Sequence, residues 1–97
     1  MEKNKAQGRQ AVYDEGIYFL QNEPGLQTKH KCTTVVAIQL ALEHGSDIKL
    51  RPSSDIRSLC QDLLEDDDPK HKVAALGFLL AFSILRTSAS HWKYYTI

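Results

Sequence analysis

Val12, Tyr13, Gly16, Ile17 and Leu20 recur at the spacing of one helix face, with Asp14, Glu15, Tyr18 and Gln21 elsewhere. This predicts a first helix over residues 9–21, preceded by a polar lead-in over 1–8. Gly16 weakens the helix, and Ile17-Tyr18-Phe19-Leu20 also reads as a short strand. Asn22-Glu23-Pro24-Gly25 is a turn, because proline fixes φ and glycine permits φ > 0. A second helix is predicted over 31–44, apolar on most faces through Val35, Val36, Ile38, Leu40, Ala41 and Leu42, and therefore central. Gly45 is placed to cap its C-terminus.

In the loop that follows, Ile48 and Leu50 alternate with charged residues, which suggests a short extended piece. Ile56, Leu59, Cys60, Leu63 and Leu64 then obey the i, i+3, i+4, i+7, i+8 rule, so a third helix is expected, capped by Ser53 or Ser54. Asp68 suits the N-cap and Pro69 the first position of a fourth helix reaching about residue 86. Its run from Val73 to Leu85 is 13 residues long and contains Gly77 and Ser83. Membrane crossing needs about 18 or more apolar residues, so the run reads as a buried helix. Residues 87–90 are small and polar, a linker to an aromatic tail over 91–97.

A Lys-His-Lys triplet occurs twice, at Lys29-His30-Lys31 and Lys70-His71-Lys72, 41 positions apart. An acidic residue and a proline precede each, Glu23-Pro24 and Asp68-Pro69, and an apolar run follows each. The order suggests two copies of one unit: amphipathic helix, turn, basic triplet, apolar helix. Leu63-Leu64-Glu65-Asp66-Asp67-Asp68-Pro69 followed by Ala74-Ala75-Leu76-Gly77 resembles the turn and second helix of a HEAT-type repeat, whose period accommodates that offset. The chain departs from the pattern at His71, where an apolar residue is usual, and two units fall short of the three a stacked array needs. The resemblance implies the packing of the hairpins. The expected fold is all-α: four helices in two antiparallel hairpins, either a HEAT-like pair or an irregular four-helix bundle, in one domain over 9–90.

With 12 basic and 12 acidic residues the chain is formally neutral, which argues against a strongly basic nucleic-acid binder but leaves room for a local patch. The triplets are the candidates for such a patch. Lysines at a helix N-terminus oppose its partial positive charge unless acids compensate, the side chains reach water, or an anion binds. Glu65 to Asp68 compensate Lys70, His71 and Lys72. For Lys29, His30 and Lys31 the nearest upstream acid is Glu23, so the first triplet is the better anion site. A solvated turn is the plainer reading of both. If the hairpins stack in parallel, the triplets share one edge of the domain, and with Lys3, Lys5 and Arg9 nearby they form a basic stripe.

Trp92, Tyr94 and Tyr95 have three readings: completing the core, anchoring a protein partner, or stacking on bases. The acidic run lacks the spaced ligands of a calcium loop. The histidines show no zinc spacing with Cys32 or Cys60, and no Cys–His pair with an oxyanion donor is visible, so no metal, cofactor or catalysis is expected. The two cysteines read as reduced core thiols and, with no signal peptide visible, point to the cytoplasm.

The function expected is that of a non-enzymatic helical module binding a protein partner or serving as a subunit of a larger assembly. Its exposed face would come from the first and third helices, with the aromatic tail as anchor. The alternative is a small subunit contacting a nucleic-acid phosphate backbone within a ribonucleoprotein or replication-type complex. Two nearly all-apolar helices also carry more apolar surface than a core this small hides, which points toward a homodimer.

Overall fold

A computed structural model describes the backbone over residues 2–23, 25–45, 48–50 and 56–95, and side-chain surroundings over 8–23, 25–45, 48–50 and 56–85. The secondary structure of the described residues is five α-helices without a strand: α1 (Glu2–Asn22), α2 (Thr28–His44), α3 (Ile56–Leu59), α4 (Gln61–Leu64) and α5 (Pro69–Tyr95). The segment 17–20 is helical, and 48–50 forms no strand.

Four boundaries differ from expectation. Helix α2 starts at Thr28 rather than at 31, so Lys29, His30 and Lys31 lie in its first turn. Helix α1 starts at Glu2, upstream of residue 9, because residues 2–7 include lysine, alanine and glutamine and no breaker. The third predicted helix is two short ones, α3 and α4. Between them Cys60 leaves helical geometry at φ −122° and ψ 16°. Its N–H donates to the Arg57 carbonyl at 3.2 Å and its own carbonyl accepts from Leu63 N–H at 3.1 Å, a tightened i→i+3 turn. Helix α5 runs unbroken through 87–90, where a linker was expected, to Tyr95. That segment holds no glycine or proline, and extending an existing helix fixes one residue per hydrogen bond gained. The aromatic segment is thus the end of α5 over 91–95; the expected Ser53 or Ser54 cap lies outside the described residues.

Helix α2 is central and packs against α1, α4 and α5. It is antiparallel to α1: Gly16 lies against Ile38, and Arg9 and Val12 lie beside Leu40 and His44. It is parallel to α5: Gln39 covers Gly77, and His44 lies level with Ala81 to Leu85. The core draws Tyr13, Ile17 and Leu20 from α1, Val35, Ile38 and Leu42 from α2, and Phe78 and Phe82 from α5, with Ile56, Cys60 and Leu63 from the short helices. Tyr13 and Phe82 rings lie 6.0 Å apart, and Phe78 meets Phe82 edge-on at 5.0 Å.

The N-cap of α5 is as expected: Asp68 Oδ1 accepts from Lys70 N–H at 2.9 Å, and Pro69 opens the helix. Gly45 ends α2 by a different device. Its φ is −118°, an extended value open to any residue. Glycine is required there by proximity, since a Cβ would meet Ile48 Cγ1 at 2.8 Å and the Ala41 carbonyl at 2.9 Å. Among the described residues no helix is long and apolar enough to cross a membrane.

Candidate functional site

The largest departure from the predicted picture is on α5. A wholly buried helix was expected, yet Val73, Leu76, Leu80 and Ile84 are 67%, 58%, 60% and 58% exposed. Only one side of α5 is covered: Ala74, Ala75, Phe78, Ala81 and Phe82 are buried where α2, α4 and Tyr13 of α1 pack, and nothing among the described residues lies over the other side. At about 100° per residue, positions 73, 76, 80 and 84 lie within roughly 80° of azimuth, a continuous stripe along four turns. A contiguous stripe of this kind is of the size of the largest apolar patch on a typical monomer, a patch that is often functional.

One edge of the stripe descends into a groove of about 430 Å³ between α2 and α5. Leu80 and Ile84 form its α5 wall, and Gln39, Leu42, Glu43 and His44 its α2 wall. Gln39 Nε2 donates to Glu43 Oε1 at 2.9 Å, giving this wall a polar rim. Further apolar exposures occur on α1, at Val12, Tyr18 and Phe19, and on α2, at Val36 and Leu40. The periodicity of α5 revealed none of this, because an all-apolar helix looks alike whether one side or both are covered.

The parallel course of α2 and α5 brings the two basic triplets to the same end of the fold. The wider basic stripe does not form. Helix α1 is antiparallel to α2, so Arg9 lies beside His44 at the opposite end, and Lys3 and Lys5 precede it on α1. Within the first triplet Lys31 is buried at 8% exposure, and its Nζ pairs with Asp62 Oδ2 at 2.8 Å. Its ammonium is thus engaged within the fold, unlike those of the exposed lysines of the triplets. Lys29 and His30 are exposed.

In the second triplet, His71 Nδ1 hydrogen-bonds Asp66 Oδ2, and Nε2 lies 3.9 Å from Asp68 Oδ2. His71 is thereby hydrogen-bonded to one carboxylate and close to a second. The hydrogen bond from His71 holds the Asp66 carboxyl below its ordinary value against the opposing effect of desolvation; the Asp68 N–H, the His71 charge and the Asp67 N–H add to the lowering. Lys70 and Lys72 remain exposed.

Burial pushes the Cys60 thiol up, partly offset by Arg57, its own backbone and Lys31. Burial also raises Cys32, with the Asp68 carboxylate adding to it. Both thiols are thus held in the neutral form, the less nucleophilic one. No three His, Cys, Asp or Glu side chains among the described residues gather as metal ligands. The side chains of Trp92, Tyr94 and Tyr95 lie outside the described residues.

No protein-family model, no curated protein and no solved structure matches this chain.

Proposed function

We propose that this chain is a non-enzymatic helical interaction module that docks a protein on the uncovered side of α5, alone or as a subunit of a larger assembly. The observation that carries the reading is the stripe of Val73, Leu76, Leu80 and Ile84. Each side chain contributes about 1–2 kcal/mol when its remaining exposure is removed, so a partner covering all four gains several kcal/mol from apolar contact alone. The docking face moves from the first and third helices to the fourth predicted one. Helix α5 is continuous to Tyr95, so the aromatic segment belongs to the same element as the stripe. Two free cysteines fit a reducing, cytoplasmic setting.

A photo-cross-linking residue at position 76, compared with one at the exposed polar position 15, tests the reading in cells expressing the protein. A discrete protein adduct from position 76 and none from 15 is expected. No adduct from 76, or the same pattern from both, rejects the docking face.

A second reading is supported by the shared end of the triplets: contact with a phosphate backbone through Lys29, Lys70 and Lys72. Three phosphate contacts on a single strand predict a log–log salt slope of about −2. Fluorescence anisotropy of a labelled single-stranded RNA at low and physiological salt measures it. A salt-independent signal, or one that persists in the triple Lys→Glu variant, removes this reading.

A further inference from the structure

We propose that the protein docked on α5 is a second copy of this chain, packed antiparallel about a two-fold axis that passes beside Gly77. The proposal rests on α5 being a docking face and names what covers it. Its support is the distribution of charge along the α2-facing edge of the stripe. Lys70 precedes Gly77 by two turns and lies close to its azimuth, and Gly77 faces Gln39 of α2. Lys70 therefore marks the N-terminal end of that edge. Glu43 marks its C-terminal end, on the groove wall facing Leu80 and Ile84. Both side chains are exposed.

Residues 70 and 84 stand seven positions either side of Gly77, about 10 Å along the axis in each direction. An antiparallel two-fold keeps the α2-facing edges of the two copies together and reverses their direction. Each Lys70 then comes opposite the Ile84 level of the other copy, where Glu43 lies, and the pairing occurs twice. Val73 of one copy comes level with position 81 of the other, within one residue's rise of Leu80, and the two Leu76 side chains meet near the axis. A parallel two-fold instead brings Lys70 and Lys72 of both copies to one end, where Asp66 and Asp68 are already engaged by His71. Like-charge juxtaposition selects the antiparallel form.

The apolar area suits a small interface. The four side chains, each more than half exposed, present on the order of 400 Å² per copy, within the range of the largest patch on a typical monomer. Two copies bring together about 800 Å², and the groove edge and the stems of Lys70 and Glu43 carry the total past the roughly 1,000 Å² that a specific interface needs. The complex is therefore a reversible dimer.

Sedimentation equilibrium of the full chain across a concentration series decides it. The wild type is expected to pass from the 11.0 kDa monomer to twice that mass as concentration rises. Leu80→Glu, at a position exposed in the single chain, is expected to abolish the dimer with an unchanged helical circular-dichroism spectrum. Lys70→Glu and Glu43→Lys are each expected to weaken dimerisation roughly fivefold, as exposed pairs broken twice per dimer do, and the double variant to restore it. A chain that stays at the monomer mass throughout overturns the proposal, as does a dimer indifferent to Leu80→Glu. Additive weakening in the double variant overturns the antiparallel arrangement, and the charge pair still decides should Leu80→Glu fail to fold. A monomer that nonetheless yields a cross-link from position 76 to a different protein rejects self-association while leaving the docking face standing.

Discussion

The side-chain amide of Gln10 holds both backbone groups of Lys49: Nε2 donates to the Lys49 carbonyl at 3.2 Å and Oε1 accepts from its N–H at 2.9 Å. A residue of α1 thereby supplies what a neighbouring strand would, and the piece after α2 stays in place without forming a sheet. Buried Ile48 and half-buried Leu50 flank the clamp and pack against the core.

Replacing Gln10 with Ala removes both bonds and is expected to cost about 1–2 kcal/mol. In a domain of this size that lowers the thermal midpoint by roughly 4–16 °C. Gln10 Nε2 also donates to Asp14 Oδ1 at 3.1 Å, so Gln10→Glu keeps the acceptor but sets a carboxylate oxygen against the Lys49 carbonyl and the Asp14 carboxylate, and it should cost at least as much as Ala. Thermal melts by circular dichroism measure the series, and an Ala variant that melts with the wild type rejects the clamp.

Gly16 is the second contact point of α1. A Cβ there would stand 2.5 Å from Ile38 Cγ1 and 2.7 Å from its Cδ1. Alanine in a helix interior ordinarily gains about 1 kcal/mol over glycine. Here the α1–α2 separation is set by the missing Cβ, and overpacking of about 1–3 kcal/mol outweighs that gain. Gly16→Ala should destabilise, and adding Ile38→Val, which removes Cδ1, should recover part of the loss. A stabilised Gly16→Ala in chemical denaturation contradicts the close approach.

Local chemistry was legible in the chain, and long-range pairing was not. Asp68-Pro69 announces the start of α5 because the capping bond closes within two residues. The 41-residue offset of the triplets likewise carried their shared end, once α2 and α5 ran parallel. Lys31 read as an anion contact because its partner, Asp62, lies 31 residues away on another helix. The α5 stripe was hidden for a related reason: which side of an apolar helix is covered depends on the other helices. Gln10 gave no signal at all, since a polar residue on an amphipathic helix looks the same whether it meets water or a backbone.

The Lys31–Asp62 pair is asymmetric, with side-chain exposures of 11% and 68%. Water reaches the carboxylate and screens the attraction, so the pair itself contributes about 0.5–1 kcal/mol. Asp62→Ala takes the partner from a buried ammonium and should cost about 1 kcal/mol. Lys31→Met removes the charge together with its desolvation cost and keeps the aliphatic stem packed, so it should cost less than Asp62→Ala. Urea denaturation of the two variants and their double mutant gives the coupling. The opposite ranking means that Lys31 is held by solvent rather than by Asp62.

The contact between Asp66 and His71 should make stability depend on acid. The Asp66 carboxyl sits lower in the folded chain than in the unfolded one, chiefly because it accepts the hydrogen bond from His71. The folded state therefore binds fewer protons than the unfolded state between those two values, and stability rises with pH there. The contribution is present above the ordinary carboxylate range of about 4 and is lost as pH falls through the lowered value. Asp66→Asn removes the titrating group while keeping an acceptor for His71. The difference in thermal midpoint between wild type and this variant should therefore be present at pH 5 and close as pH falls toward 2. A difference constant over that range would falsify the link between this pair and acid stability, and leave the Asp68 cap as what fixes the start of α5.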